Sequence, residues 1–310
     1  MSSAPRDPEE LEAAGRMDGG PVLAEIPAAT RSGAVHLTVA DLDRSVRFYE
    51  RAIGLVLRER LDGRAHLGTD RGEDLLVLVE QPGARPARRH CGLYHFALLL
   101  PARADLARWL AHAVRERVPL TGFADHFVSE AIYLDDPDEH GIEIYWDRPR
   151  ETWEGQVSQR MTTLPLDVDG LLGELDDPPR EPFERLAPDA VMGHVHLRVA
   201  DISRTIAFYR DLLGFGLMAR LGDQAAFLSA GGYHHHLGAN TWQSAGAGQP
   251  PPGTASLQAF TIVVPSVASR DALAARAAGG GHTPEPVDEG LLVRDPSGNR
   301  VLLAVVDERR

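Results

Sequence analysis

One stretch decides the fold that we predict for this chain, and it reads Gly193-His194-Val195-His196-Leu197-Arg198-Val199-Ala200-Asp201. Apolar and polar residues alternate in it with a period of two, which is typical of a β-strand with one face on a core. The valines and the leucine would face that core, and the two histidines would share the opposite face with Arg198. Histidines on such a face are often hydrogen-bonded interior residues. Their function therefore depends on what the rest of the chain supplies.

The same pattern occurs 160 residues earlier, in Gly33-Ala34-Val35-His36-Leu37-Thr38-Val39-Ala40-Asp41. Both strands lead into a helix pattern that contains Phe-Tyr and then a glycine. Asp41 and Asp201 can cap the helices at their N-termini, and Gly54 and Gly214 suit a left-handed helix stop. These matches indicate an internal duplication.

A second, weaker repeat follows each of these segments. Residues 93–101 resemble residues 257–265, and each stretch precedes an alanine-rich helix pattern. Residues 133–145 parallel residues 293–303, where Asp-Pro and a later glycine predict a tight turn into a final strand. The sequence therefore predicts four units of strand, helix and further strands, beginning near residues 33, 90, 192 and 255.

These units group into two domains with a leader and a linker. Residues 1–32 mix Pro, Gly, Ala and acidic residues without the pattern of a secretory signal, and we expect a mobile leader. An N-terminal domain would span 33–147 and a C-terminal domain 191–310, each with two units. The linker at 148–190 is rich in Pro, Asp and Glu, and a short helix is expected around Leu171.

Composition excludes several classes of function. The 32 basic residues are all arginine, 45 residues are acidic, and the net charge is −13. This balance disfavours nucleic acid and anionic membrane surfaces as partners. No apolar run reaches about 18 residues, the length expected of a spanning helix. The single cysteine, Cys91, cannot form an internal disulfide, which fits a reducing compartment such as the cytoplasm.

The repeated strand-Asp-Leu-x-x-Ser-x-x-Phe-Tyr-x-x-x-x-Gly-Leu pattern and the Asp-Pro-x-Gly-Asn ending resemble the vicinal-oxygen-chelate superfamily. The resemblance covers nearly all of residues 33–306. It implies an α+β fold of four βαβββ units that form paired, cupped, mixed β-sheets with flanking helices. Three further stretches resemble the catechol 2,3-dioxygenase branch of type I extradiol dioxygenases; they lie at residues 94–101, 125–133 and 233–242.

That branch implies a divalent metal held by two imidazoles and one carboxylate, with open positions for a catechol and O2. Glu143 matches the carboxylate, and it alternates with apolar Ile142 and Ile144, which would point it into the cup. His95 matches one imidazole and would stand opposite Tyr94 and Phe96 on its strand. Fe(II) is the expected cofactor, with Mn(II) as the alternative.

The resemblance implies that the first metal ligand is the residue seven before the Asp that starts the helix. In the third unit that position is His194, whereas in the first unit it is Ala34. No two consecutive units of one domain hold the full ligand set, but units two and three together do. We therefore predict that the metal cup forms across the linker from units two and three, and that units one and four pair without a metal. In a competing arrangement, units one and two pair and His36 becomes the ligand.

The family also implies acid-base groups, because a proton must leave the second hydroxyl of the catechol and be returned later. His235 matches the family position, and His236 is the alternative. The run of His234, His235 and His236 could instead be a surface metal-binding tract. His126 and Tyr133 match the substrate-side hydrogen-bond donors.

The sequence thus predicts an extradiol ring-cleaving dioxygenase that takes a catechol-like substrate and O2. Two other readings stay open: a metal-free small-molecule-binding protein of the resistance type, and a glyoxalase-like isomerase. No nucleic-acid or membrane partner is expected. The ring substituents, the choice of metal and the presence of a homo-oligomer are left open.

Overall fold

The computed structural model describes residues 24–175 and 183–306, and these form repeated units with one strand order. The first unit comprises β1 (Arg31–Val39), α1 (Leu42–Phe48) with a π-helical turn (Tyr49–Ile53), β2 (Val56–Leu61), β3 (Arg64–Gly68) and β4 (Asp74–Glu80). After the short β5 (Arg85–Pro86), the second comprises β6 (Gly92–Leu100), α2 (Arg103–Arg115), β7 (Leu120–Asp125), β8 (Ser129–Asp135) and β9 (Gly141–Asp147). Both units have the predicted βαβββ order.

The segment between the halves carries short helices, including one at the predicted place. They are a 3-10 turn (Arg150–Thr152), α3 (Val157–Arg160) and α4 (Val168–Leu172). Part of this segment, residues 176–182, lies outside the described residues, as do residues 1–23 of the predicted leader. Within the rest of that leader, Ile26 is buried and its N–H donates to Gly214 O at 2.9 Å.

The second half repeats the first. Its third unit comprises β10 (Val191–Arg198), α5 (Ile202–Ile206) with a π-helical turn (Ala207–Leu212), β11 (Gly216–Leu221), β12 (Ala225–Ser229) and β13 (Leu237–Asn240). After β14 (Thr254–Ala255), the fourth comprises β15 (Leu257–Val264), α6 (Val267–Gly279), β16 (Glu285–Val287), β17 (Gly290–Arg294) and β18 (Arg300–Val305). Within the described ranges, no helix is long and apolar enough to cross a membrane.

Two mixed eight-stranded sheets form, and each takes strands from both halves of the chain. The first sheet has the order β16-β17-β18-β15-β1-β4-β3-β2, and the second has the order β11-β12-β13-β10-β6-β9-β8-β7. Units one and four therefore share one sheet, and units two and three share the other, as the distribution of candidate ligands predicts. The competing pairing of units one and two does not occur, because β1 and β6 lie in different sheets.

The helix signals act as the sequence indicates. Asp41 and Asp201 accept hydrogen bonds from the backbone N–H three residues on, at 2.9 and 2.8 Å. Gly54 and Gly214 both have φ of 88°, a left-handed conformation that glycine adopts without a Cβ clash.

The tyrosine of each Phe-Tyr pair ties consecutive units together. Tyr49 is fully buried and its hydroxyl donates to Asp136 at 2.8 Å, whereas Tyr209 donates to Asp295 at 3.2 Å. Each hydrogen bond joins the helical segment that packs on one sheet to a turn between two strands of the other sheet. The sheets are thus fixed against each other by the same device in both halves.

The apolar face of β10 packs as predicted. Val195 and Leu197 belong to the main core, which contains residues of both sheets and the helices. The opposite face is also closed, because His194 and His196 are 2% and 4% exposed. Both histidines are therefore buried on the face of the second sheet opposite Val195 and Leu197.

Candidate metal centre

Three adjacent strands, β10, β6 and β9, bring the predicted ligands together. Ala97 on β6 lies opposite His194 on one side and opposite Glu143 on the other. His95 precedes it by two residues on the same strand. Because alanine has a small side chain, the imidazole and the carboxylate can converge over it. The sheet register thus positions His95, Glu143 and His194, which we call the His/Glu cluster.

The spacing within the His/Glu cluster fits a divalent metal. Glu143 Oε2 lies 3.0 Å from His95 Nε2 and 3.2 Å from His194 Nε2, and one ligand atom of each residue lies within 4.8 Å of the others. Ligand atoms at right angles on a metal with bonds of about 2.1 Å are separated by about 3.0 Å. His95 Nε2 makes no hydrogen bond among the described residues despite this proximity, so it is not aimed along the carboxylate direction. Two imidazoles and one carboxylate form a donor set for Fe(II) or Mn(II).

The protonation states of the His/Glu cluster also suit a metal. Burial acts to raise the pKa of Glu143, but charge interactions with His194 and His95 and the hydrogen bond with His194 hold that pKa well below its usual range. Burial lowers the pKa of His194, despite the opposing effect of Glu143. An ionised carboxylate and a neutral imidazole are the forms that bind a cation.

His235 is the member of the histidine run that faces the His/Glu cluster. Its ring centroid lies 4.1 Å from that of His194, and the side chain is buried. Burial and the neighbouring imidazoles lower its pKa well below the usual range. His236 instead accepts a hydrogen bond from Ala230 N through Nδ1 at 3.1 Å. The three histidines are not a surface tract, because His234 and His235 are buried.

His126 and Tyr133 form a pair on the opposite side of the His/Glu cluster. His126 Nε2 lies 2.7 Å from the Tyr133 hydroxyl, and the Tyr133 ring lies 5.6 Å from the His95 ring. His126 Nδ1 donates to Thr162 O at 2.7 Å, so the linker between the halves contributes to the site. In the neutral form, His126 therefore accepts at Nε2 from Tyr133.

The turn that carries His126 is strained and clamped. Phe127 has φ of 69°, which is costly for an aromatic residue and is tolerated where surrounding contacts enforce it. Asp125 accepts from Phe127 N at 2.8 Å and pairs with both terminal nitrogens of Arg148 at 2.7 and 3.0 Å. Arg160 lies 3.9 Å over the Phe127 ring. These contacts fix the direction of the His126 side chain.

The placement of Tyr94 differs from the prediction. A strict alternation would set Tyr94 opposite His95, but the register between β6 and β10 shifts so that Leu197 pairs with Leu93 directly after His196 pairs with His95. The extra residue brings the Tyr94 ring within 5.3 Å of His95 and 5.1 Å of His196. A β-bulge of this kind re-aims a side chain.

Other residues of the site were not assigned by sequence reasoning. Trp242 lies 5.4 Å from Tyr94 and 5.9 Å from His196, and it continues an aromatic wall beside His95. Asp147 lies on the same face of β9 as Glu143, four residues on, so period-two alternation could have found it. The Thr162 carbonyl has no such signal, because it is a backbone atom of the linker.

The first sheet lacks an equivalent centre at the positions that match the His/Glu cluster. Ala34, Ala259 and Leu302 occupy them, and none of these side chains can bind a metal. His36 lies on β1 opposite Ala259, in a different sheet from His95. The two sheets are therefore alike in fold and different in chemistry.

The paired sheets of βαβββ units define a vicinal-oxygen-chelate fold, here with a two-histidine, one-carboxylate cluster. The family model of the glyoxalase/bleomycin resistance protein/dioxygenase superfamily matches residues 31–144 and 191–303, and the chain belongs to this superfamily. The chain is 39% identical to a catechol-2,3-dioxygenase of Bacillus subtilis (strain 168) over 289 residues, which cover 92% of this chain and 100% of that protein.

Solved structures share the fold. A Bacillus subtilis protein described as a candidate dioxygenase aligns with a TM-score of 0.62 and 16% identity, covering 91% of this chain and 86% of its own. Glyoxalase I from Zea mays aligns with a TM-score of 0.52 and 19% identity, and the alignment covers 89% of this chain and 92% of the glyoxalase chain. At these identities the likeness shows the fold alone.

Proposed function

We propose that the chain is a non-haem, metal-dependent extradiol dioxygenase that cleaves the ring of a catechol-like diol with O2. The observation that carries the proposal is the buried His/Glu cluster, flanked by His235 on one side and by the His126–Tyr133 pair on the other. The 39% identity to a catechol-2,3-dioxygenase supports the same chemistry.

In this proposal, His95, Glu143 and His194 hold Fe(II), with Mn(II) as the alternative metal. When bound, the metal supplies open positions for the diol oxygens and redox chemistry with O2. A single carboxylate leaves the site with net positive charge, which favours a catecholate anion.

The protein groups around the cluster divide the remaining work. His235 is the base that takes the proton of the second hydroxyl, since an unprotonated imidazole is suited to that step. Tyr133 keeps its proton because burial raises its pKa well above the usual value, and with His126 it orients the diol by hydrogen bonding. Tyr94 and Trp242 form an apolar wall for the aromatic ring.

The test is anaerobic reconstitution with Fe(II) or with Mn(II), followed by oxygen uptake across a panel of catechols. We expect oxygen to be consumed in equal amount with the diol, and a hydroxymuconic semialdehyde-type product to absorb in the visible range. His235→Gln should retain metal and lose turnover by about 10²- to 10⁴-fold, the usual contribution of a positioned acid-base group. His36→Gln is the matched control and should behave as the unmodified chain.

The same preparation separates the two rival functions. Binding of small aromatic molecules without oxygen uptake or metal would favour a resistance-type binding protein. Isomerisation of a hemithioacetal without oxygen uptake would favour a glyoxalase-like enzyme. Either result would overturn the dioxygenase proposal.

A further inference from the structure

His234 links the candidate base His235 to the half-buried carboxylate of Asp147. His234 is fully buried; its Nε2 lies 2.8 Å from Asp147 Oδ1, and its Nδ1 lies 2.8 Å from His235 Nδ1. The other oxygen of Asp147 accepts from the Tyr233 hydroxyl at 2.7 Å, and the Tyr145 hydroxyl lies 2.9 Å from that of Tyr233. The proposed reaction assigns no role to His234, Asp147, Tyr233 or Tyr145.

We infer that His234, held by Asp147, is a positioning residue that fixes the tautomer and the ring orientation of His235. This inference deepens the proposed function and rests on it for its kinetic consequence. The structural part of the inference, the tautomer, holds for any reaction at this site.

The donors and acceptors along this series determine where each proton lies. A carboxylate oxygen accepts, so His234 Nε2 carries a proton. A neutral His234 then has a lone pair on Nδ1, and the short contact requires His235 Nδ1 to donate its proton to it. With its proton on Nδ1, His235 is left with a bare Nε2. The network therefore presents His235 as an acceptor at Nε2.

The surroundings fix His234 in this one arrangement. The Tyr233 ring lies 4.0 Å from the His234 ring, and the Trp153 ring lies 5.5 Å away in an edge-on contact. Tyr145 is fully buried between this group and His194, at 5.0 Å from the His194 ring. A ring flip of His234 would break both of its hydrogen bonds in a buried environment, which is costly. The tautomer of His235, at one end of this hydrogen-bonded series, is thus set by Asp147 at the other end.

The first experiment measures the tautomer without any reaction. The full chain is labelled with ¹⁵N-histidine and kept free of added metal, and the ring signals of His235 are assigned by their loss in His235→Gln. We expect a proton on Nδ1 and a bare Nε2 in the unmodified chain, and a change of tautomer or mixed tautomers in His234→Phe. A proton on Nε2 in the unmodified chain would overturn the inference, whatever the chain catalyses.

The second experiment measures the kinetic consequence in the reconstituted enzyme. His234→Phe should retain metal and KM but lower kcat by about 10- to 100-fold, as expected for loss of a residue that orients a functional group. His234→Asn should recover most of kcat, because its amide oxygen can accept from His235 Nδ1. His36→Asn is the matched control and should leave kcat unchanged, since His36 lies on β1 in the other sheet. Equal losses in His234→Asn and His234→Phe would reduce His234 to a packing role.

The two experiments separate the two claims. The expected tautomer with no oxygen uptake by the unmodified chain would refute the proposed function and leave the network intact. Oxygen uptake with the opposite tautomer would refute the positioning role and leave the dioxygenase proposal intact.

Discussion

Substitution of Gly193, the residue before His194, tests whether close packing behind the His/Glu cluster maintains the geometry of that cluster. A Cβ on Gly193 would lie 2.6 Å from Tyr145 Cζ and closer still to its hydroxyl, whereas ordinary contact begins at 3.4 Å. The fully buried Tyr145 ring must therefore move by at least about 0.8 Å. Overpacking of this kind costs about 1–3 kcal/mol, and each kcal/mol lowers Tm by about 2–4 °C in a chain of comparable size. We expect Gly193→Ala to unfold on the order of 5 °C lower.

The displacement should also reach the centre, because the Tyr145 ring lies 5.0 Å from the His194 ring and its hydroxyl contacts Tyr233. Thermal unfolding followed by circular dichroism and metal content after dialysis measure the two effects. Gly248→Ala is the matched control, since a Cβ there meets no atom within 4 Å. If Gly193→Ala matches this control in both measurements, the packing argument is wrong.

Three further predictions address the cluster and its support. Glu143→Ala should abolish activity and metal binding, whereas Glu143→Gln should fold but retain metal weakly. Metal analysis after gel filtration measures both effects. Full metal content and turnover in Glu143→Ala would contradict the role of Glu143 as the carboxylate ligand. His194→Ala should lose the metal while His36→Ala retains it, and the reverse outcome would move the centre to the other sheet. Burial acts to raise the pKa of Asp125, but bonds from Arg148 and a backbone N–H lower it on balance. The ionised Asp125 carboxylate therefore stabilises the folded chain fully above the pKa of an unfolded Asp, about 3.9. This stabilisation is lost as the pH falls below that value. Asp125→Asn should therefore destabilise the chain at pH 7. The difference in urea midpoint between the unmodified chain and Asp125→Asn should become smaller as the pH falls from about 5 to about 3. A difference that stays constant over this range would argue against a stabilising role of the Asp125 carboxylate.

The pairing of units could be predicted from the sequence because it depends on residue identity. His95 and Glu143 occur in unit two, and the missing imidazole position is filled only by His194 in unit three. The observed sheet order joins those units. The apolar face of β10 and the helix caps at Asp41 and Asp201 have equally strong local signals, and both were placed correctly. The role of the cluster as metal ligands stays a prediction until metal is measured.

The remainder of the site depends on contacts without a periodic signal. Tyr94 moved to the cluster face because the register shifts by one residue, and no residue type marks that bulge. Thr162 contributes a carbonyl from the linker, so its side chain carries no information about the contact. The choice of His235 over His236 required the direction of a loop, which alternation does not define.

The sharing of each sheet between the two halves has a consequence for synthesis of the protein. β6 can pair with β10 only after the whole linker and β10 have been synthesised. β1 can pair with β15 only after a still longer stretch of chain has been synthesised. At about 5–20 residues per second on the ribosome, the β6 edge stays uncovered for on the order of ten seconds. Neither half alone contains the cluster, since His194 lies in one and its two partners lie in the other. Two separately encoded halves would therefore regain the centre only by associating, and metal retention would report that association.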